Sequence, residues 1–256
     1  MFDESQIKAF VKKNTEECYG LLKDLCLIPA PSGKEEKRAE YCLAYLKSIG
    51  YDNAYIDEAK NVICLLGGEK NLTVVAAHTD TVFPDTEPLP YTEKDGIIYC
   101  PGAGDDTSCV VCLLLAAKFC KEQGFKPENG ILFVLNSCEE GLGNLKGTKE
   151  LMKSYGNRVK QFISLDSPFK QMVNAWVGSH RYEVEVLTEG GHSFSNFGNT
   201  NAIAVLSSVV TEIYKTEVPK IDGTVTTYGV GIINGGTSVN TIAQNAKMLC
   251  EYRSDT

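Results

Sequence analysis

The sequence lacks a basic cluster. Lys and Arg number 25 against 33 Asp and Glu, a formal charge of −8, and no cationic run is dense enough to neutralise a row of phosphates. Nucleic acid is therefore excluded as a partner. There is no long apolar run either: the longest, Val110 to Ala117, falls well short of the roughly 20 residues needed to cross a bilayer, which excludes a membrane span. The N-terminus, Met1-Phe2-Asp3-Glu4, is acidic where a secretory leader is basic, and no apolar segment follows it, so the expected location is cytoplasmic. Internal repeats are also missing. With 43% hydrophobic and 23% charged residues, the chain has the composition of a folded protein rather than a linker. Ten cysteines are present, but they are scattered through apolar segments of a chain too long to need staples, and they read as reduced, mostly buried thiols. Cys109-Val-Val-Cys112 has redox-motif spacing among apolar neighbours and reads as core packing.

A length of 256 residues suits one large domain or two unequal ones. Apolar residues recur at helical spacing from Ser5 to Cys26, and Pro29 and Pro31 stop the pattern. Ser32-Gly33-Lys34-Glu35 has the form of a capping box, predicting a second helix that ends at Gly50. Asn61–Leu66, Leu72–Ala77, Ile131–Leu135 and Gln161–Leu165 are short apolar strands of the kind covered on both faces. Helices over Thr107–Gln123, with Asp105 or Asp106 as cap, and over Leu145–Tyr155 alternate with them, which predicts an α/β sheet. Near Trp176 the style changes: Tyr182 to Val186 alternates polar and apolar. A helix over Ala202–Tyr214 and strands over Thr226–Ile233 and Ala246–Tyr252 follow, so a second domain is expected there.

In open α/β sheets the functional groups collect beyond the C-terminal ends of the strands. Here His78-Thr79-Asp80 follows one strand, Glu139-Glu140 another and Asp166 a third, while Asp105 stands in the loop Gly102-Ala103-Gly104-Asp105-Asp106 before a helix. Taken singly, a histidine or aspartate at a strand end is an ordinary turn residue and paired glutamates are a solvated face. Their coincidence at four ends makes a hard, oxygen-rich metal site, in which a bridging carboxylate holds two divalent ions and a neighbouring glutamate takes a proton from water. A serine or cysteine hydrolase is disfavoured, because no Ser or Cys has a nucleophile-elbow context.

The strings Ala77-His78-Thr79-Asp80-Thr81-Val82-Phe83-Pro84, Gly104-Asp105-Asp106, Ser137-Cys138-Glu139-Glu140-Gly141 and Ser164-Leu165-Asp166 resemble the co-catalytic zinc exopeptidase and deacylase family. That family includes peptidase T, carboxypeptidase G, aminoacylase and succinyl-diaminopimelate desuccinylase. Gly190-Gly191-His192-Ser193 and Gly235-Gly236-Thr237-Ser238-Val239-Asn240-Thr241-Ile242 resemble its inserted lid, or dimerisation, domain. The resemblance implies a zinc-exopeptidase-like α/β sheet with helices on both faces over residues 1–174, and a smaller, incomplete α+β lid over 175–256.

It also implies roles. His78, Asp105 and Asp166 would hold the first of two divalent ions, taken to be zinc. Asp105 would bridge to the second, which Glu140 also holds. Asp80 would orient His78, Glu139 would be the general base, and His192 would stabilise the oxyanion, commonly in the partner subunit of a homodimer. Asn240 and Arg253 would grip a substrate carbonyl or carboxylate. On the residues alone, His192 reads as a turn histidine after two glycines, Arg253 is equally a strand-end charge, and His180, which matches nothing functional, is the same. The implied reaction is attack of activated water on an amide bond of a small peptide or an N-acyl amino acid. Asp rather than Glu at position 166 favours a tripeptidase or aminopeptidase over a deacylase. The family supplies a late histidine to the second metal, whereas this sequence has three histidines and none after His192. A weak second site is therefore expected, and the competing reading is a catalytically incomplete fragment that acts only by association.

Overall fold

The opening helical pattern is divided at Asn14. In the computed structural model, which describes residues 2–166 and 171–255, α1 (Glu4–Lys13) and α2 (Thr15–Cys26) replace the single helix expected over Ser5–Cys26. Asn14 Nδ2 donates to the Phe10 carbonyl at 2.8 Å and its Oδ1 accepts from Lys118 Nζ at 2.9 Å. A buried amide satisfied in this way ends one helix and begins the next, which apolar periodicity does not register. The next helix, α3 (Glu36–Ser48), is followed by Gly50 at φ +91, as the sequence predicts. Its start differs from expectation: Glu35 occupies the cap position without a capping hydrogen bond, because the Ser32 and Glu35 side chains are engaged elsewhere.

The chain divides into two units, Met1–Gln171 and Met172–Thr256. In the first, β1 (Tyr55–Ile56), β2 (Val62–Leu66) and β3 (Leu72–His78) precede a hairpin of β4 (Thr92–Lys94) and β5 (Ile97–Tyr99). The hairpin is absent from the sequence-based expectation. Its signal is the dipeptide Asp95-Gly96, both at positive φ, in a segment with too little apolar alternation to read as strands. Then come α4 (Ser108–Glu122), β6 (Ile131–Asn136), α5 (Lys146–Tyr155) and β7 (Val159–Ser164). The sheet runs β1-β2-β6-β3-β7 and is mixed: β3 is parallel to β6 and β7, whereas β2 is antiparallel to β6.

Strand alternation explains why helices cover both faces. Val62, Cys64, Ala77, Phe133 and Leu135 pack with residues of α2, α3 and α4, including Leu25, Cys42, Leu46, Leu113 and Leu114. Ile63, Val74, Ala76, Leu132 and Val134 point the other way and pack with Leu151 of α5. The α/β class is therefore as read from the sequence. Two local expectations differ. The strand expected as buried over Gln161–Leu165 is an exposed edge, with Phe162 and Ile163 more than a third accessible. All ten cysteines are free as expected, but Cys112 is exposed while Cys109 is buried, so only one of that pair is core packing. Among the described residues no helix is long and apolar enough to cross a membrane.

In the second unit β8 (Gly178–Leu187), β9 (Gly191–His192), α6 (Ala202–Ile213), β10 (Thr226–Gly235), β11 (Thr241–Ile242) and β12 (Asn245–Ser254) follow in order. An antiparallel sheet, β10-β12-β8, carries α6 on one face through Ala202, Leu206, Ala246, Met248, Val184 and Val186. The opposite face holds the ion pairs Lys247–Glu183 and Arg181–Glu251. This is the one-wet-face pattern read from Tyr182–Val186. His180 is stacked on Tyr252, with ring centroids 5.1 Å apart.

Leu132 is fully buried at the centre of the first sheet, on the α5 face. Leu132→Ala is expected to lower unfolding free energy by about 2–5 kcal/mol, read as a reduced urea midpoint with an unchanged m-value.

Candidate metal centre

The parallel direction of β3, β6 and β7 brings their C-terminal ends to one edge of the sheet. His78, the last residue of β3, is in register with Asn136, the last of β6, and the Leu165 amide following β7 donates to the Ala76 carbonyl at 2.7 Å. Asp80, the Ser137–Glu140 loop and Asp166 are therefore delivered together by strand pairing.

The loop after β6 is held in an uncommon way. Its four consecutive backbone N–H groups all donate to side chains from elsewhere in the chain. Ser137 donates to Asn61 Oδ1 at 3.0 Å, Cys138 to Glu35 Oε1 at 3.1 Å, Glu139 to Asp80 Oδ1 at 3.0 Å and Glu140 to Asp80 Oδ2 at 3.0 Å. Gly147, in the first turn of α5, backs this arrangement: a Cβ there would lie 2.4 Å from both Asn61 Oδ1 and the Ser137 carbonyl. Asp80, completely buried, also accepts from Ser32 Oγ at 2.6 Å.

His78 is 2% exposed. Its Nδ1 lies 3.0 Å from the Asp80 carbonyl and 3.5 Å from Asp80 Oδ1, while Nε2 lies 3.1 Å from Asp105 Oδ1. Asp80 is thus on the ring nitrogen remote from the carboxylate cluster, where an orienting residue belongs. Asp105 and Asp106 are joined by a cis peptide and face different ways. Asp105 is largely exposed, whereas Asp106 is buried and accepts the His78 backbone N–H at 2.9 Å.

Ligand atoms meet in two groups that share His78. One is His78, Asp105 and Glu140, and the other is His78, Glu139 and Asp166, each with its atoms within 4.8 Å of one another. This partition differs from the expected first set of His78, Asp105 and Asp166. The His78 ring pairs directly with Asp105, and pinning both Glu139 and Glu140 to the single Asp80 carboxylate brings each glutamate to the same imidazole.

The electrostatics follow from crowding carboxylates around one ring. Burial alone lowers the His78 pKa, but the Asp80 hydrogen bond and the charges of Asp106, Asp80 and Glu139 outweigh it and carry it up to about 10. Burial is opposed in the other sense at Asp80, where hydrogen bonds from His78, Ser32 and the two glutamate amides hold the carboxyl below its ordinary range. Burial raises Glu139 and Glu140, with neighbouring carboxylates adding to both, and carries Asp106 up to about 7. Asp106 Oδ1 is buried without a hydrogen-bond partner. One imidazole among several mutually repelling carboxylates is a donor set that fits divalent cations.

In the second unit, His192 and Asn240 are neighbours. Thr241 pairs with His192, and the Ser193 amide donates to the Asn240 carbonyl at 3.0 Å. His192 Nδ1 accepts from the Phe194 and Ser195 amides at 3.2 and 3.4 Å, which leaves Nε2 as the protonated nitrogen of the neutral ring. Asn240 Oδ1 accepts from Ser238 Oγ at 2.7 Å. Arg253 is not brought to this turn: it pairs with Ser179 at the opposite end of β12 and is tied to Glu251 at 2.9 Å. Ser32, Glu35, Asn61 and Asp106 also reach this centre, where the sequence suggests helix capping for Ser32, Glu35 and Asp106 and gives no signal for Asn61. Ser32 and Glu35 carry a signal, Ser-x-x-Glu, that reads locally as helix capping.

The profile of peptidase family M20/M25/M40 matches residues 74–243. The chain belongs to this family. An acetylornithine deacetylase of Myxococcus xanthus is 28% identical over 84% of this chain and 60% of its own length. A LysW-lysine/LysW-ornithine hydrolase of Sulfurisphaera tokodaii is 28% identical over 76% of this chain and 52% of its own. A solved Staphylococcus aureus tripeptidase shares the fold, with TM-score 0.63 and 21% identity over 93% of this chain and 66% of its own. The chain thus spans between half and two thirds of the length of these M20/M25/M40 relatives.

A cation at His78 Nε2 requires the neutral ring. Because the folded protein raises the His78 pKa from 6.5 to about 10, zinc binding between about pH 6 and 8 must expel that proton. Affinity is expected to rise about tenfold per pH unit across that window, with calorimetry in two buffers of different ionisation enthalpy reading proton release. An affinity independent of pH there would mean that the ring is already neutral.

Proposed function

We propose that this chain carries out metal-dependent hydrolysis of an amide bond in small peptides, in the manner of a tripeptidase or aminopeptidase. The observation that carries the reading is the suspension of Glu139 and Glu140 on Asp80, which sets two carboxylates beside His78, with Asp105 and Asp166 completing the ligand groups. On this reading residues 1–174 form the catalytic domain and 175–256 the lid, and two copies associate as a homodimer.

His78, Asp105, Asp166 and Glu140 would hold two divalent ions, zinc by the resemblance. Such ions supply a Lewis acid for the scissile carbonyl and lower the pKa of attacking water. Asp80 orients the His78 ring through Nδ1 and fixes the base and the ligand glutamate through their amides. Glu139 takes the proton of the attacking water on a carboxylate oxygen and returns it to the leaving amine. Burial raises its pKa, the direction that makes the carboxylate a better proton acceptor. By the resemblance His192, whose Nδ1 accepts two amide hydrogen bonds, would stabilise the developing oxyanion, commonly in the active site of the partner subunit. Asn240, its neighbour, would hold the substrate's carbonyl. Arg253 would bind a substrate carboxylate.

The second reading is an N-acyl amino acid deacylase. It is favoured by sequence relatives named acetylornithine deacetylase and LysW-lysine/LysW-ornithine hydrolase, against which stands the aspartate at 166. Assay of the zinc-loaded chain on tripeptides and on N-acetylornithine separates the two.

Glu139→Gln is expected to lower kcat by about 100- to 10,000-fold on whichever substrate is turned over, with thermal unfolding unchanged. Retained turnover in that variant would remove Glu139 from the reaction.

A further inference from the structure

The Ser32–Glu35 turn precedes residues 74–243, which the family profile matches, and its two polar side chains reach into the centre. Glu35 is completely buried. Its Oε1 accepts the Gly33 amide at 2.6 Å and the Cys138 amide at 3.1 Å, and Cys138 Sγ lies 3.4 Å away. The other oxygen, Oε2, has no hydrogen-bond partner, and the nearest cation, Lys60 Nζ, stands 3.7 Å from it. A buried carboxylate with one oxygen outside any hydrogen bond and only a long ion pair to Lys60 is costly to keep as a stabilising device. Its working oxygen therefore points to what it does.

That oxygen holds the residue before the base. Cys138 has φ +53, a left-handed conformation that a non-glycine residue does not adopt readily. Asp80 captures the amides of Glu139 and Glu140, but the peptide plane that precedes them is set by the Cys138 N–H and hence by Glu35. Ser32 completes the arrangement from the same turn. Its hydroxyl donates to Asp80 Oδ2 at 2.6 Å and lies 3.3 Å from the Glu140 carbonyl. The turn is closed on itself by the Lys34 amide, which donates to the Pro31 carbonyl at 2.8 Å.

We propose that Glu35 is a positioning residue that sets the direction of the Glu139 and Glu140 side chains by accepting the Cys138 N–H, with Ser32 steadying Asp80 from the same turn. The proposal rests on the reading of Glu139 as base and Glu140 as metal ligand. What it requires of residue 35 is an acceptor oxygen at a fixed reach, not a negative charge.

Glu35→Gln and Glu35→Asp in the whole chain separate these requirements. Gln keeps the acceptor at the same reach without the charge, and Asp keeps the charge one methylene short. Zinc affinity by competition with a chromogenic chelator, kcat, KM and thermal unfolding are read for each. Glu35→Gln is expected to stay within about threefold of the parent in zinc affinity and kcat, and Glu35→Asp to lose about tenfold in both with KM little changed. A purely structural role through the Lys60 ion pair gives the reverse order, and Asp equal to or better than Gln overturns the proposal. Should Glu35→Asp not fold, Ser32→Ala carries the test, since it removes only the hydroxyl on Asp80. A loss of about tenfold in zinc affinity supports the proposal, and parental affinity and kcat overturn it. Glu139→Gln is measured in parallel. If it retains turnover, the hydrolytic reading fails, while the Gln and Asp order in zinc affinity still decides the role of Glu35.

Discussion

Four backbone N–H groups in a row, from Ser137 to Glu140, have no strand or helix to bond to and are captured instead by Asn61, Glu35 and Asp80. The placement of Glu139 and Glu140 beside His78 depends on that capture. A buried amide without a partner costs roughly 1–3 kcal/mol, so the loop has every reason to stay where its acceptors are. The acceptors come from three separate places: the turn before α3, the start of β2 and the segment after β3. Each is fixed by the packing of its own element, and so the loop inherits the rigidity of the sheet and helices without belonging to either.

The same constraint makes the centre electrostatically demanding. Asp80 bonds both glutamate amides and also faces His78, so the carboxylates of Glu139 and Glu140 are forced toward the same ring as Asp105 and Asp166. Burial and mutual repulsion raise the glutamates, and the surrounding negative charge raises the imidazole. A site with excess negative charge and one nitrogen donor gains by binding divalent cations and not by pairing internally. Arg38 supports the framework from beneath. Its buried guanidinium donates to the carbonyls of Ile28 and Thr79 and to Thr107 Oγ1, tying α3 to the ends of β3 and α2 and to the start of α4.

Much of this was legible in the amino-acid order. The apolar strands, the helices between them, the change of style after Trp176 and the placement of His78, Asp105, Glu139, Glu140 and Asp166 at element ends follow from periodicity and punctuation. The exceptions are side chains whose spacing suggests a purely local task and which also take a distant one. Ser32 and Glu35 have the spacing of a capping box, and local hydrogen bonding is the natural inference for them. In the structure Ser32 reaches Asp80, 48 positions away, and Glu35 reaches Cys138, 103 positions away. Asn14 likewise splits a helix because Lys118, from α4, completes its hydrogen bonding.

The sequence by itself determined the α/β class, the alternation of covered strands and helices, and the chemical kind of the site, because these depend on residue type and on spacing along the chain. Only the tertiary structure decided how the ligand atoms are grouped about His78, that Asp105 is exposed while Asp106 is buried, and that Arg253 stands at the other end of its strand from His192 and Asn240. The physical reason is that periodicity encodes which face a residue occupies, whereas hydrogen-bond partners across dozens of residues are chosen by the packing of elements that bring donors and acceptors together.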